Sequence, residues 1–258
     1  MENINLENKK ELIIGRNSVK EALKSGRNID HLLISKGKHF GSILPIISKA
    51  RELKIPIKEV DIKKLDSICG NSKHQGIIAI VAAYQYSCID DILKCAEEKS
   101  EPPFIIIADC IEDPHNLGAI IRSAECAGAH GIIIQNRRCV GLNYTVSKAS
   151  AGALEYMKVA RVTNISNSID ELKKKGIFIY GADINGQAWC RTDLKGPIAL
   201  VIGSEGLGLS RLVKEKCDDI LSLPLCGNIN FDSLNASVAG GILMYEVCRQ
   251  RLNMSSIN

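Results

Sequence analysis

Three polar, glycine-bearing segments of this chain have the residue types to bind a ligand. They are Asp-Pro-His-Asn-Leu-Gly at 113–118 with Arg122 beyond it, Gly-Ser-Glu-Gly-Leu-Gly at 203–208, and Ser-Leu-Asn-Ala-Ser-Val-Ala-Gly-Gly at 233–241. Each segment follows an apolar run typical of a buried strand. Because open α/β sheets bind ligands at the carboxyl ends of their strands, we expect the three segments to form one pocket.

The first segment leads into a predicted helix. Asn116 is of a type that suits an N-cap. The apolar stripe of this helix puts Arg122 roughly on the opposite side, and comprises Leu117, Ile120, Ile121, Ala124 and Ala127. Spacing alone therefore favours a solvated Arg122 over a functional one.

The second segment follows an apolar run and precedes a helix, but it is not a dinucleotide fingerprint. Its glycines are spaced G-x-x-G-x-G rather than G-x-G-x-x-G. The chain also has no fingerprint after its first strand that is followed by an acidic residue about 20 positions on. These features argue against a nucleotide-dependent oxidoreductase. The glycines would let backbone amides approach a ligand closely, although a plain strand-to-helix turn has the same pattern.

The third segment opens the last predicted helix, where Ser233 or Asn235 is expected to be the N-cap. The residues that follow are small and have poor helix propensity. We therefore expect this helix to pack closely against neighbouring backbone, with or without a ligand. His74 and His115 lie in loops, where an isolated histidine is more often structural or solvated than catalytic.

The elements that position these segments alternate between strands and helices. Predicted strands of the C-terminal part are 104–109, 131–135, 177–181, 198–203 and 220–223, and predicted helices are 117–127, 166–175, 210–216 and 235–251. The strands are near-continuous apolar runs, as expected of strands buried on both faces. This alternation predicts an α/β fold with a parallel sheet.

Three regions follow from the pattern. Residues 1–83 are predicted to form a small α/β domain, with strands at 12–14, 29–35, 56–60 and 76–83 and helices at 17–23, 42–53 and 62–68. The acidic stretch 84–102, which closes on two prolines, is predicted to be a linker. The remainder, 103–258, is the second domain.

Composition limits the class of protein. The chain has 258 residues, of which 45% are hydrophobic and 24% charged, and no apolar run is long enough to span a membrane. The first residues are too polar for a secretory signal. The ten cysteines include no C-x-x-C pair, which argues against zinc and predicts reduced thiols in a cytoplasmic protein.

Charge is unevenly distributed along the chain. Residues 1–83 carry 15 Lys and Arg against 9 Asp and Glu, a net charge of +6, whereas the whole chain carries +4. This surplus favours a polyanionic partner for the N-terminal domain, although an ordinary lysine-rich solvated surface would give the same count.

Together the three segments resemble the SpoU (TrmH) family of RNA ribose 2′-O-methyltransferases, within the SPOUT superfamily. The matching motifs are Asn-Leu-Gly at 116–118 with Arg122, Ile-Gly-Ser-Glu-Gly at 202–206 with Gly208, and Leu-Pro-Leu at 223–225 with Ser-Leu-Asn-Ala-Ser-Val-Ala at 233–239. Each motif is weak alone, but their co-occurrence in this order is specific. Residues 14–23 and 74–77 resemble the members that carry an extra N-terminal domain.

The resemblance implies a catalytic domain with a trefoil knot, S-adenosylmethionine as the methyl donor, no metal, and a homodimer. The N-terminal domain would be a ribosomal-protein-like RNA-binding fold. The implied catalytic residues are Asn116, Arg122, Glu205, Ser233 and Asn235. The implied cofactor-binding residues are Gly203, Leu223, Leu225 and Leu234.

The implied activity is methylation of a ribose 2′-hydroxyl, most closely that of a guanosine in large-subunit (23S) ribosomal RNA. The partner would be RNA and not DNA, because only RNA carries the 2′-hydroxyl. Transfer RNA as the substrate, or a non-catalytic RNA-binding protein of the same fold, are the alternatives. One departure from the family is a loop about two residues longer at 228–232.

Overall fold

The computed structural model describes residues 10–27, 29–37, 41–70, 73–82, 84–227 and 233–252. Strands and helices alternate in the N-terminal part, in the order β1 (Lys10–Ile14), α1 (Arg16–Lys24), β2 (Ile29–Ser35), α2 (Ile43–Glu52), β3 (Ile57–Val60), α3 (Ile62–Cys69) and β4 (Ile77–Ala82). All of these elements are predicted from the sequence to within a few residues at each end.

The N-terminal strands form one mixed sheet in the order β1-β4-β2-β3, in which only β2 and β3 pair in parallel. Side chains of β4 alternate between two cores, as the period of a strand requires. Ile77 and Ala79 pack with the apolar side chains of α1 and α2, while Ile78 packs on the other face with Leu65 of α3. Helices therefore cover both faces of the sheet.

The C-terminal part continues with α4 (Ile89–Glu98), β5 (Phe104–Ala108), α5 (Pro114–Cys126), β6 (Gly131–Gln135), α6 (Tyr144–Ala149), β7 (Val159–Val162), α7 (Ile165–Lys174), β8 (Phe178–Ala188), β9 (Ile198–Ile202), α8 (Arg211–Lys216), β10 (Asp219–Ser222) and α9 (Ala236–Arg251). Its strands form a sheet in the order β10-β8-β9-β5-β6-β7, and all neighbouring strands in it pair in parallel. The predicted α/β fold with a parallel sheet is confirmed.

The two central strands of this sheet, β5 and β9, are buried along their whole length. One face packs against α4, α7 and α8, whose apolar side chains share a core with Ile105 and Val201. The other face is covered by α5 and α9. This layering places the amino ends of α5 and α9 at the sheet edge where β5 and β9 end.

Four parts of the element prediction differ from the structure, one of which is the unpredicted helix α6 (Tyr144–Ala149), whose six residues are too few to show a helical period. The range 84–102, predicted to be a linker, contains α4, because Ile92 and Ala96 on its inner face are fully buried. Strands β7 and the outer half of β8 escaped prediction because they lack a long apolar run. Backbone pairing of Gln187 and Ala188 with β10 extends β8 beyond its predicted end at 181.

The chain divides into two compact units that do not coincide with the predicted regions. The described residues up to Gln85 form one unit together with 142–156, and 86–141 with 157–252 form the other. Within the first unit, the side chains of Arg27 and Glu155 form a buried ion pair at 2.9 Å. The predicted boundaries at 83 and 102 stay a prediction.

The loop predicted to be longer, 228–232, lies outside the described residues. The trefoil knot stays a prediction as well.

Candidate active site

The candidate site begins where the neighbouring strands β5 and β9 end. At this edge the backbone N–H of Asp109 donates to the carbonyl of Ile202, at 2.9 Å. The carboxylate of Asp109 then accepts a hydrogen bond from the backbone N–H of Ser210, at 2.7 Å. Asp109 is 1% exposed. It ties the loop after β9 to β5, a role that the sequence pattern did not reveal.

The loop after β9 is a tight turn. Ser204 and Gly208 exchange two backbone hydrogen bonds of 3.1 and 2.9 Å across it. Gly203 stands directly before the turn, where an added Cβ would lie 2.3 Å from the carbonyl carbon of Gly208. Only glycine fits at 203 without moving the turn, because the contacting atoms belong to backbone.

The amino end of α5 corrects the predicted N-cap. The helix begins at Pro114, and the side chain of Asp113 caps it by accepting from the backbone N–H of His115 at 3.0 Å. Asn116 therefore lies inside the first turn, where its side chain is buried and free to bond with other loops. Proline at the first helical position favours this earlier start, since its missing N–H has no partner to lose.

Three side chains from the three predicted segments meet at this point. The Asn116 Nδ2 donates to the Glu205 carboxylate at 3.0 Å, and the Asn235 Nδ2 donates to the Asn116 Oδ1 at 3.0 Å. Asn235 Nδ2 also donates to the same carboxylate oxygen of Glu205. We call these three residues the amide–carboxylate cluster. Segments distant in sequence are thus joined in space, as the pattern of strand ends predicted.

Asn235 has a second task as the N-cap of α9. Its Oδ1 accepts from the backbone N–H groups of Ser237 and Val238, at 3.0 and 3.2 Å. The small residues that follow allow close packing, because an added Cβ at Gly240 would lie 2.5 Å from the Ile202 side chain. The predicted cap and the predicted close approach of this helix are both confirmed.

A cavity of about 590 Å³ opens beside the cluster. The turn after β9, the middle of β8, the segment after β10 and the start of α9 enclose it, and most of its lining is aliphatic or glycine. All four residues predicted to bind a cofactor line the cavity, namely Gly203, Leu223, Leu225 and Leu234. Of the predicted catalytic residues, Glu205 and Ser233 line it as well.

Arg122 is the predicted catalytic residue that the structure places neither in the cluster nor in the cavity lining. It lies on α5, with an exposed side chain. No hydrogen bond or ion pair connects it to other described residues. Its guanidinium is charged at any physiological pH and is available to an anion from outside.

The cavity lining contains a second charged residue besides Glu205, namely Asp183. The sequence pattern did not predict it. Its carboxylate forms an ion pair with the Lys214 ammonium at 2.8 Å and accepts from the backbone N–H of Asn185 at 3.3 Å. Burial raises the pKa of Asp183, but these hydrogen bonds outweigh burial and hold the pKa below its ordinary value. The side chain is therefore ionised at neutral pH.

The residues that the structure describes contain no cluster of His, Cys, Asp and Glu that could hold a metal ion. They also contain no helix with the length and apolar character needed to cross a bilayer.

Comparison with known families matches both parts of the chain. A model of the "SpoU rRNA Methylase family" matches residues 103–245. A second model, "RNA 2'-O ribose methyltransferase substrate binding", matches residues 12–87. The first match contains every residue named above as a candidate site residue.

Relatives extend this similarity over nearly the whole chain. A protein of Bacillus subtilis (strain 168), whose name places it among TrmH family tRNA/rRNA methyltransferases, is 50% identical over 240 residues, covering 93% of this chain and 95% of its own. A Staphylococcus haemolyticus (strain JCSC1435) protein of the same family name is 44% identical over 242 residues, covering 93% and 96%.

Solved structures agree with these relatives. The SpoU methyltransferase AviRb from Streptomyces viridochromogenes, in complex with the cofactor AdoMet, matches with a TM-score of 0.78 and 26% identity over 94% of this chain and 91% of its own. An AdoMet-bound rRNA methyltransferase from Sinorhizobium meliloti has a TM-score of 0.78 and 25% identity over 95% and 89%.

Proposed function

Since this chain belongs to the SpoU rRNA methylase family, we propose that it methylates a ribose 2′-hydroxyl of RNA with S-adenosylmethionine as the donor. We further propose a guanosine of large-subunit ribosomal RNA as the target. The observation that carries this proposal is the convergence of the three family motifs on one cavity.

The cavity fits the proposed donor in size and in lining. Its volume of about 590 Å³ lies within the range of pockets that enclose ligands of this size. Aliphatic side chains such as Leu223 and Leu234 suit an adenine ring, and the close turn at Gly203 leaves backbone groups accessible to a ligand. Glu205 adds a negative charge for a donor that carries positive ones.

The donor would supply a methyl carbon bonded to a positively charged sulfur. As the ribose 2′-oxygen bonds to this carbon, the carbon–sulfur bond would break and its electron pair would stay on the sulfur. The residues of the chain must therefore align the hydroxyl and allow its proton to leave, without generating a strong nucleophile. The amide–carboxylate cluster holds the loops in register for this alignment, and Ser233 lines the cavity beside them.

Arg122 is proposed to position the RNA rather than to act as a base. A charged guanidinium has only N–H donors and no site that could accept a proton. It also does not release a proton of its own at physiological pH. Its exposed position on α5 suits a bond to the phosphate next to the target ribose. The hydroxyl proton would then pass to a phosphate oxygen or to water.

RNA as the partner of the N-terminal unit is supported by the net charge of +6 over residues 1–83. Strands β1, β2 and β3 end at one edge of their sheet. At this edge the Arg16 guanidinium is held by the carbonyl of Gln75 and the hydroxyl of Ser42, both at 3.1 Å. A fixed arginine beside the exposed Lys36 and Lys73 suits a nucleic-acid backbone.

Mapping of 2′-O-methyl groups in a deletion strain tests the substrate. We expect one guanosine in 23S ribosomal RNA to lose its methyl group, and a plasmid-borne wild-type gene to restore it while the Arg122→Ala variant does not. Loss confined to transfer RNA would replace the ribosomal target by the alternative substrate. Unchanged methylation of both RNA classes would refute catalysis and leave a non-catalytic RNA-binding protein.

A homodimer is proposed from one face of α9. Val238, Ile242 and Tyr245 are spaced to share this face and are 49%, 38% and 54% exposed. An apolar stripe on a helix is unfavourable in water and favours a partner surface. By analytical ultracentrifugation, Tyr245→Asp should shift a dimer toward monomer, whereas Leu212→Asp, at an exposed leucine outside the stripe, should not. A monomeric wild type would refute the dimer.

A further inference from the structure

The cavity contains two carboxylates in different electrostatic states. Glu205 accepts hydrogen bonds from the neutral amides of Asn116 and Asn235, and no cation among the described residues forms an ion pair with it. Asp183 instead forms an ion pair with Lys214 at 2.8 Å, with 14% of the Asp183 side chain exposed. The two acids are therefore suited to different parts of a ligand.

The ion pair limits what Asp183 can recognise. An ammonium or sulfonium group gains little from a carboxylate that a lysine at 2.8 Å already neutralises. A neutral donor such as a hydroxyl group can still form a hydrogen bond with this carboxylate. A carboxylate offers about four lone-pair sites, and the bonds to Lys214 and Asn185 use about two of them.

The position of Asp183 is also fixed. It lies on β8 between Gly181, which pairs with β9 and β10, and Gln187, which pairs with β10. Its carboxylate is held from two sides by Lys214 and the backbone of Asn185. Asp109, the other buried acid at this sheet edge, is not in the cavity lining and bonds to the backbone of Ser210. Asp183 is thus the acid that can offer fixed acceptors to a neutral part of the ligand.

We propose that Asp183 binds the ribose hydroxyls of the methyl donor, with Lys214 as the residue that positions its carboxylate. The proposal rests on the proposed function, since it assigns a part of the same donor to this side of the cavity. The positive sulfonium and ammonium groups of the donor are then assigned to the side of Glu205. Hydrogen bonds from hydroxyls to a carboxylate are charge-assisted and discriminate strongly against a missing hydroxyl.

Calorimetric binding of the product S-adenosylhomocysteine, and of its 2′-deoxy and 3′-deoxy analogues, tests the assignment. Wild type should bind the product at least about 10-fold more tightly than one of the deoxy analogues. Asp183→Ala should weaken binding of the product about 10- to 100-fold and abolish the preference over the deoxy analogues. Lys214 is 40% exposed and should be hydrated when its partner is removed.

Two control variants separate a contact from a general loss of structure. Asp170→Ala removes the carboxylate of a surface ion pair with Lys216, outside the cavity lining, and should leave all three affinities within about twofold of wild type. Asp183→Asn keeps the shape of the side chain and one acceptor oxygen. It should retain an intermediate preference, and it carries the same comparison if the alanine variant does not fold.

Each remaining outcome contradicts a definite claim. Equal weakening of all three ligands by Asp183→Ala would overturn the ribose assignment and place the carboxylate against another part of the donor. Unchanged binding would show that Asp183 does not contact the donor. If wild type bound none of the three ligands, the proposed function itself would fail, and this inference with it.

Discussion

Substitution of Gly203 by alanine is the sharpest test of the cavity. The added Cβ would lie 2.3 Å from the Gly208 carbonyl carbon, 2.4 Å from its oxygen and 2.5 Å from the backbone nitrogen of Leu209. Such distances lie far inside van der Waals contact. Since all three atoms belong to the main chain, no rotamer change can relieve the clash, and the turn has to move.

The cost follows from what the turn would lose. Ser204 and Gly208 exchange two backbone hydrogen bonds, and each contributes about 0.5–1.5 kcal/mol net. Breaking both gives about 1–3 kcal/mol, which agrees with the usual cost of about 1–3 kcal/mol for an extra methyl group in a packed site. If the same displacement spoils one cavity wall, the dissociation constant for S-adenosylhomocysteine should rise about 10-fold or more.

Gly206 provides a matched control in the same turn. An added Cβ there has no heavy atom within 4 Å. We expect Gly206→Ala to leave the urea midpoint unchanged and Gly203→Ala to lower it. Gly203→Ala should also weaken calorimetric binding of S-adenosylhomocysteine more than Gly206→Ala does, although both residues line the cavity. Indistinguishable behaviour of the two variants would refute the link between this turn and the cavity.

Three further predictions concern the amide–carboxylate cluster, the RNA contact and pH. Asn235→Ala should lower the free energy of unfolding in urea by about 1 kcal/mol, because α9 loses its N-cap; an unchanged midpoint would contradict this. Arg122→Ala should abolish methylation of ribosomal RNA but change calorimetric binding of S-adenosylhomocysteine less than about twofold, and retained turnover would rule out its positioning role. Burial lowers the pKa of His130 below 6.5, and its Nδ1 accepts from the backbone of Phe104. As the pH falls below about 6.5, this histidine therefore takes up a proton in the unfolded chain before it does so in the folded one. Wild type should lose more free energy of unfolding than His130→Gln between pH 7 and pH 5. Equal losses for the two proteins in urea titrations would refute this.

Local pattern was sufficient for most of the fold. The runs that became β5 and β9 are apolar throughout because both faces of these strands are covered, and the period of α5 is evident from its own residues. Helix α4 shows the limit of this reasoning. Its acids suggested a linker, although the spacing of Ile89, Ile92 and Ala96 is helical and these side chains are buried.

The site was predictable in a different way. The three bonded pairs among Asn116, Glu205 and Asn235 lie 89, 119 and 30 positions apart, so no local period connects them. Their meeting was expected from the strand-end argument and from the family resemblance. Asp183 carried no such signal, because its partner Lys214 is 31 residues away and its strand extension is polar.

The geometry of the amide–carboxylate cluster explains why the family motifs occur together. Glu205 lines the cavity and also accepts from Asn116 on α5, the helix that carries Arg122. Asn235 completes the cluster while capping α9, which packs against α5. One carboxylate therefore connects the wall of the cavity with helices α5 and α9. Loss of any one member would take one hydrogen bond from each of the other two, so each motif has a physical reason to require the others.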